Sequence, residues 1–104
     1  MAAEPEFDVV WPVGARPTAS SAAAARLSDL NGRKVAFVWD YIFRGDEMFE
    51  LIKADLRRRF PSVEFVDHAA FGNIHGAHEL EELEALPERL AEHEVDAAVV
   101  GVGA

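Results

Sequence analysis

Residues 34–61 read KVAFVWDYIFRGDEMFELIKADLRRRFP, and this stretch decides the fold. Residues 34–39 carry Val35, Phe37 and Val38 in a short apolar run, the pattern of a strand covered on both faces. Asp40 closes the run, and Arg44, Gly45 and Asp46 supply turn chemistry and a helix N-cap. Glu47 follows near the positive end of the helix dipole. Met48, Phe49, Ile52, Leu56 and Phe60 then recur at three- and four-residue spacing as one apolar stripe. Arg57, Arg58 and Arg59 fall in the last turn, where cations suit the dipole, and Pro61 ends the helix. Strand, turn and amphipathic helix form the front half of a βαβ unit, whose strand-end loop is where α/β proteins place ligands.

Working outward, Asp29-Leu30-Asn31-Gly32 is a turn signal that launches the strand. Residues 1–6 read as a tail, and residues 7–11 as a short strand or extended arm stopped by Pro12 and Gly14. The small-residue stretch 16–25 is a linker, with an Ala-rich helical turn expected over residues 22–27. Residues 1–30 are thus arm and linker, and residues 31–104 an α/β half-domain.

Downstream the pattern repeats. Residues 63–66 (VEFV) predict a second strand, and residues 67–78 a loop with two glycines and three of the four histidines. Residues 79–93 predict a helix with Leu80, Leu83, Leu86 and Leu90 on one stripe. Pro87 lies within it and predicts a kink, or two abutting helices. Residues 97–102 (AAVVGV) are apolar without alternation and predict a central parallel strand. The class is α/β: a β-α-β-α-β chain with a three-stranded parallel sheet, expected as the incomplete half of a Rossmann-like domain. Right-handed crossovers are expected to put both helices on one face, leaving the other bare. That bare face predicts a C-terminal half or a partner subunit that completes the sheet.

Composition narrows the function. The 104 residues carry a net charge of −9, enough chain for one small domain. The acidic balance argues against a nucleic-acid surface, which needs clustered Lys and Arg. No apolar run approaches the roughly eighteen residues of a membrane span, and the N-terminus lacks the features of a secretory signal, so the expected compartment is the cytoplasm. With no cysteine in these residues, disulfides and thiolate metal sites within the chain are excluded.

Candidate site residues gather at the expected strand ends. Asp40 is suited to a substrate hydroxyl or amine, and Arg44 to a carboxylate or phosphate, although turn formation explains both equally well. Asp46 reads as a cap. In the glycine-flanked loop after the second strand, Asn73 is suited to orient a substrate, and His75 to move a proton near neutral pH. His68, His75 and His78 lack metal-ligand spacing, and no metal or cofactor is expected. Gly101-x-Gly103 stands in the wrong place for a dinucleotide fingerprint, so close packing or a tight turn explains it better. Glu79, Glu81, Glu82 and Glu84 read as a solvated helix face.

The segments KVAFVWDYIFRGDEMF, VEFVDHAAFGNIHG and VDAAVVGVGA together resemble the UGSC family, α/β proteins named for a selenocysteine- or Cys-Gly-Ser-Cys box. The resemblance covers residues 31–104, with the preceding linker matching the family's N-terminal arm loosely. It implies a reactive box directly after the VVGVGA strand, which these residues do not contain. It further implies a thiol-dependent oxidoreductase or lyase whose small-molecule substrate is lined by Asp40, Arg44, Asn73 and His75. Such a cysteine would stand at a strand end leading into a helix, a setting that lowers a thiol pKa. Two other readings stay open: half of a racemase-like acid–base enzyme, and a non-catalytic regulatory subunit docking through its open sheet face.

Overall fold

The computed structural model describes Glu6, Asp8 and residues 21–103. The expected arm over residues 7–11 and most of the linker lie outside them. Residues 22–27, expected to make a helical turn, form none and are exposed. The alanines there have no apolar partner to bury against, and so short a helix is marginal in water.

Regular structure begins where the turn signal places it. Asp29 Oδ1 accepts the Asn31 N–H at 2.9 Å, and Gly32 takes the left-handed turn position at φ 71°. Asn31 Oδ1 also accepts the backbone N–H and the hydroxyl of Ser62, joining the starts of the first two strands. Strand β1 (Lys34–Trp39) is buried from Val35 onward. Helix α1 (Gly45–Arg59), strand β2 (Glu64–Val66), helix α2 (Glu79–Glu92) and strand β3 (Ala97–Gly101) follow. A short 3₁₀ turn (His68–Ala70) interrupts the connection from β2 to α2.

All pairings are parallel, and the strand order is β2-β1-β3. The central strand is therefore β1, not β3 as the run AAVVGV suggested. The order also relocates the helices. The crossover through α1 travels from β1 to one edge, and the crossover through α2 returns past β1 to the other. Two connections of one hand travelling in opposite directions lie on opposite faces. The cores agree. Val35, Phe37 and Trp39 pack with Phe49, Ile52 and Leu56 of α1, whereas Ala36 and Val38 pack with Phe71 and with Leu86 and Leu90 of α2. The expectation of both helices on one face and a bare sheet opposite is thus corrected to three layers, helix–sheet–helix.

What stays open is smaller. Ala97 and Val99 of β3 pack toward α1, but Ala98 and Val100 on its other side are exposed, because α2 sits over β1 and β2. The apolar run of β3 reflects a strand with one side uncovered among the described residues.

Helix α2 narrows one expectation and departs from two others. One helix runs through Pro87 rather than two abutting at it. The missing Pro87 N–H leaves the Leu83 carbonyl without that helical donor, and both residues are exposed, so the oxygen is not shut away from solvent. Of the expected stripe, Leu86 and Leu90 pack on the sheet while Leu80 is 75% exposed. Glu82 is not part of a solvated face: it pairs with Arg89, which also donates to the Phe71 carbonyl at 3.0 Å.

Candidate functional site

With β1 in the middle, the loops leaving all three strands meet at one rim. The Ile74 N–H donates to the Trp39 carbonyl at 3.3 Å, and the Asp40 N–H donates to the Gly101 carbonyl at 3.2 Å. β1 is thereby extended toward residue 73 on one side and toward the end of β3 on the other. The chain reverses its direction of travel at β1, so β1 and β3 flank the topological switch point, the place where open α/β sheets bind ligands.

Asp40 is the tie at this rim. It is 5% exposed, and its carboxylate accepts the Ile42 N–H at 3.0 Å and the Gly103 N–H at 2.8 Å. Both oxygens already hold backbone donors from the two sides of the switch point. The loop it closes is strained: Tyr41 and Phe43 have φ of 61° and 64°, values costly for side-chain-bearing residues. Trp39 holds the same loop by donating its indole N–H to the Ile42 carbonyl at 3.1 Å, and Tyr41 stacks on its ring at 4.6 Å.

Glycines let these rings in. A Cβ on Gly45 would lie 2.3 Å from Trp39 Nε1, one on Gly101 2.9 Å from Phe49 Cζ, and one on Gly103 2.6 Å from Ile42 Cγ2. The Gly101-x-Gly103 pair is thus a close-packing device. Above it an apolar groove of about 190 Å³ runs between α1 and β3, floored by Trp39 and Phe49 and walled by Phe43, Met48, Ile52 and Val102. Phe43 is 77% exposed there.

The other three candidates are less fixed. Arg44 stands at the N-cap of α1 without a side-chain capping bond, exposed, with Nη2 2.6 Å from Glu47 Oε2. Asp46 is not the cap but lies in the first turn. Asn73 pairs across β1 with Trp39, and its Oδ1 accepts the His75 N–H at 2.9 Å. His75 is exposed, with Nδ1 3.8 Å from Glu79 Oε2. Asp40 and Asn73 therefore flank the tip of β1, while Arg44 and His75 stand on the loops beyond; no hydrogen bond or ion pair joins side chains of the four.

Two residues that pattern reading passed over share a second cleft, of about 370 Å³, between α1 and the end of β2. His68 is half-buried, its ring 5.1 Å from Trp39, 5.3 Å from Tyr41 and 6.2 Å from Phe49. Its position directly after Asp67, at a strand's carboxyl end, was the available signal. Lys53 lies on the core side of α1, where helical spacing from Phe49 and Ile52 would have put it on the edge of the apolar stripe.

Residues 8–104 match the sequence model of the UGSC family. The chain belongs to that family. No curated protein and no solved structure matches it. For a UGSC-family chain the membership extends the expected resemblance upstream, through the arm and linker. Among the described residues no helix is long and apolar enough to cross a membrane, and no group of three or more acidic or His side chains could hold a metal ion.

Lys53 gives this UGSC chain an alkaline signature. Burial works against its ammonium, but hydrogen bonds and charge from Asp67 and Glu50 outweigh it and raise the pKa. A raised value means stabilisation that is complete below the unfolded pKa and lost as pH climbs through the folded one. The melting temperature of the wild type should hold up to about pH 10 and then fall relative to Lys53→Met, which has no ammonium to lose. Parallel pH curves for the two chains would show that Lys53 contributes no such linkage.

Proposed function

We propose that this chain forms the substrate-binding half of a thiol-dependent UGSC-family enzyme, an oxidoreductase or lyase built on a Rossmann-like sheet. The observation that carries the reading is the strand order β2-β1-β3, which brings the ends of β1 and β3 and the loop after β2 to one rim. The thiol is the part of the reading that rests on the Cys-Gly-Ser-Cys box for which the matched family is named. The 104 residues hold no cysteine, so in this reading the thiol belongs to polypeptide outside them. In this reading Asp40 sets the rim, Arg44 meets an anionic group of a small-molecule substrate, Asn73 orients it, and His75 exchanges a proton with solvent. The apolar groove takes the substrate's carbon skeleton, and the strained loop of residues 41–44 forms its wall.

The test uses the chain joined to, or assembled with, a polypeptide that carries a Cys-Gly-Ser-Cys box, assayed on a substrate found by small-molecule screening. Iodoacetamide should abolish turnover. Arg44→Ala should lower kcat/KM by about 10–100-fold, the loss of one charge-assisted substrate contact, with the melting temperature unchanged because its ion pair with Glu47 is exposed. Turnover indifferent to iodoacetamide, or wild-type kinetics in both Arg44→Ala and His75→Ala, would discard the reading.

The exposed side of β3 favours one alternative, a non-catalytic subunit. In it, the edge of β3 with Ala98 and Val100, rather than a bare sheet face, meets the partner. Val100→Lys would then abolish assembly, and the assembled protein would show no cysteine-dependent turnover.

A further inference from the structure

Two histidines of the connection after β2, His68 and His75, are held differently by the structure. His75 is held only by a long contact to Glu79, and its side chain is 59% exposed. His68 is clamped by three aromatic rings belonging to β1, the loop after it and α1, with edge or tilted geometry at each. Among the described residues neither of its ring nitrogens is engaged by another side chain or by backbone, and neither is a buried polar atom lacking a partner. An imidazole oriented by packing, and lining a cleft at the carboxyl ends of parallel strands, is pre-set for proton exchange.

We propose that His68 is the proton-carrying group of the strand-end site, and that its charge state is read by the Trp39 ring. This rests on the proposed catalytic role of the rim. In the step, a neutral ring nitrogen accepts the proton of an S–H or O–H group presented in the cleft. That bond breaks, its electron pair stays on the sulfur or oxygen, and an N–H bond forms. The imidazolium later returns the proton to product or water, so no further reactant is needed. The titratable groups facing His68 are Tyr41 from the loop, Asp46, Glu47, Glu50 and Lys53 from α1, and Asp67, the residue after β2. Lys53 is paired with Glu50 and Asp67, so its ammonium does not stand as an uncompensated cation beside His68.

The experiment begins with a Trp11→Phe chain, in which Trp39 is the sole tryptophan. An imidazolium against the indole should quench its emission to about half between pH 8 and pH 5. His68→Gln should remove the transition and His75→Gln should keep it. In the assembled enzyme, His68→Gln should flatten the acidic limb of the pH–rate profile and lower kcat about 10²-fold or more. A pH-independent Trp39 emission would overturn the proposal, as would a wild-type pH–rate profile in His68→Gln. Should His68→Gln fail to fold, the wild-type titration and the His75→Gln control still decide. Turnover that depends on His68 but resists iodoacetamide would remove the thiol reading alone.

Discussion

Phe37→Ala is expected to cost about 3–5 kcal/mol, the range for deleting a fully buried aromatic ring. Phe37 is 0% exposed at the middle of the central strand. Its ring meets Phe49 of α1 at 4.9 Å and Phe65 of β2 at 5.6 Å, and the Lys53 ammonium stands 5.2 Å from its centroid. One side chain thus joins helix, edge strand and buried cation, and its removal leaves a void that none of them can fill alone. A domain of this size holds on the order of 5–15 kcal/mol in total, so the variant should be substantially unfolded at modest denaturant. Urea titration followed by far-UV circular dichroism checks this. A loss below about 1.5 kcal/mol would mean that the cavity collapses, and that the aromatic cluster is looser than its packing indicates.

Asp40→Ala is expected to cost about 2–3 kcal/mol and to release the end of β3. Removing the carboxylate strands the N–H groups of Ile42 and Gly103, and each unpaired donor costs about 1–3 kcal/mol when shielded from water. The lower half of that range applies because both bonds are only partly buried. The strain at Tyr41 and Phe43 then has one restraint fewer, so the loop should relax as well. Asp40→Asn should be milder, since one amide oxygen still accepts while the NH₂ group opposes a donor. Hydrogen exchange at Gly103 and Ile42 should accelerate in both variants, and more in Asp40→Ala. Unchanged exchange at Gly103 would show that Asp40 does not tie the two strands.

The front of the chain was legible because its signals are local. Asn31-Gly32, the run of β1, the stripe of α1 and the stop at Pro61 each follow from spacing or from one residue's backbone preference. The loop residues Asp40 and Asn73 were legible as strand-end positions for the same reason. Strand order was not, because a parallel strand's composition reports burial and not which neighbour it pairs with. The run AAVVGV reads as covered on both sides, yet it occupies an edge, and that single inversion moved α2 to the opposite face. Lys53 escaped because pattern reading scores it as polar, whereas its stem lies along Phe37 and its charge is met by Asp67 from another element. His68 escaped because its three aromatic neighbours come from separate parts of the chain.

The reading of the rim depends on β1 lying between β2 and β3, and interstrand nuclear Overhauser contacts in the labelled chain measure that directly. Backbone contacts from β1 should appear on both flanks, Trp39 to Asn73 and Ile74 on one side and Asp40 to Gly101 on the other. Contacts of β3 with β2, such as Val99 to Phe65, with none from β3 to β1, would contradict it: the helices would then share a face, and the ends of β1 and β3 would no longer adjoin.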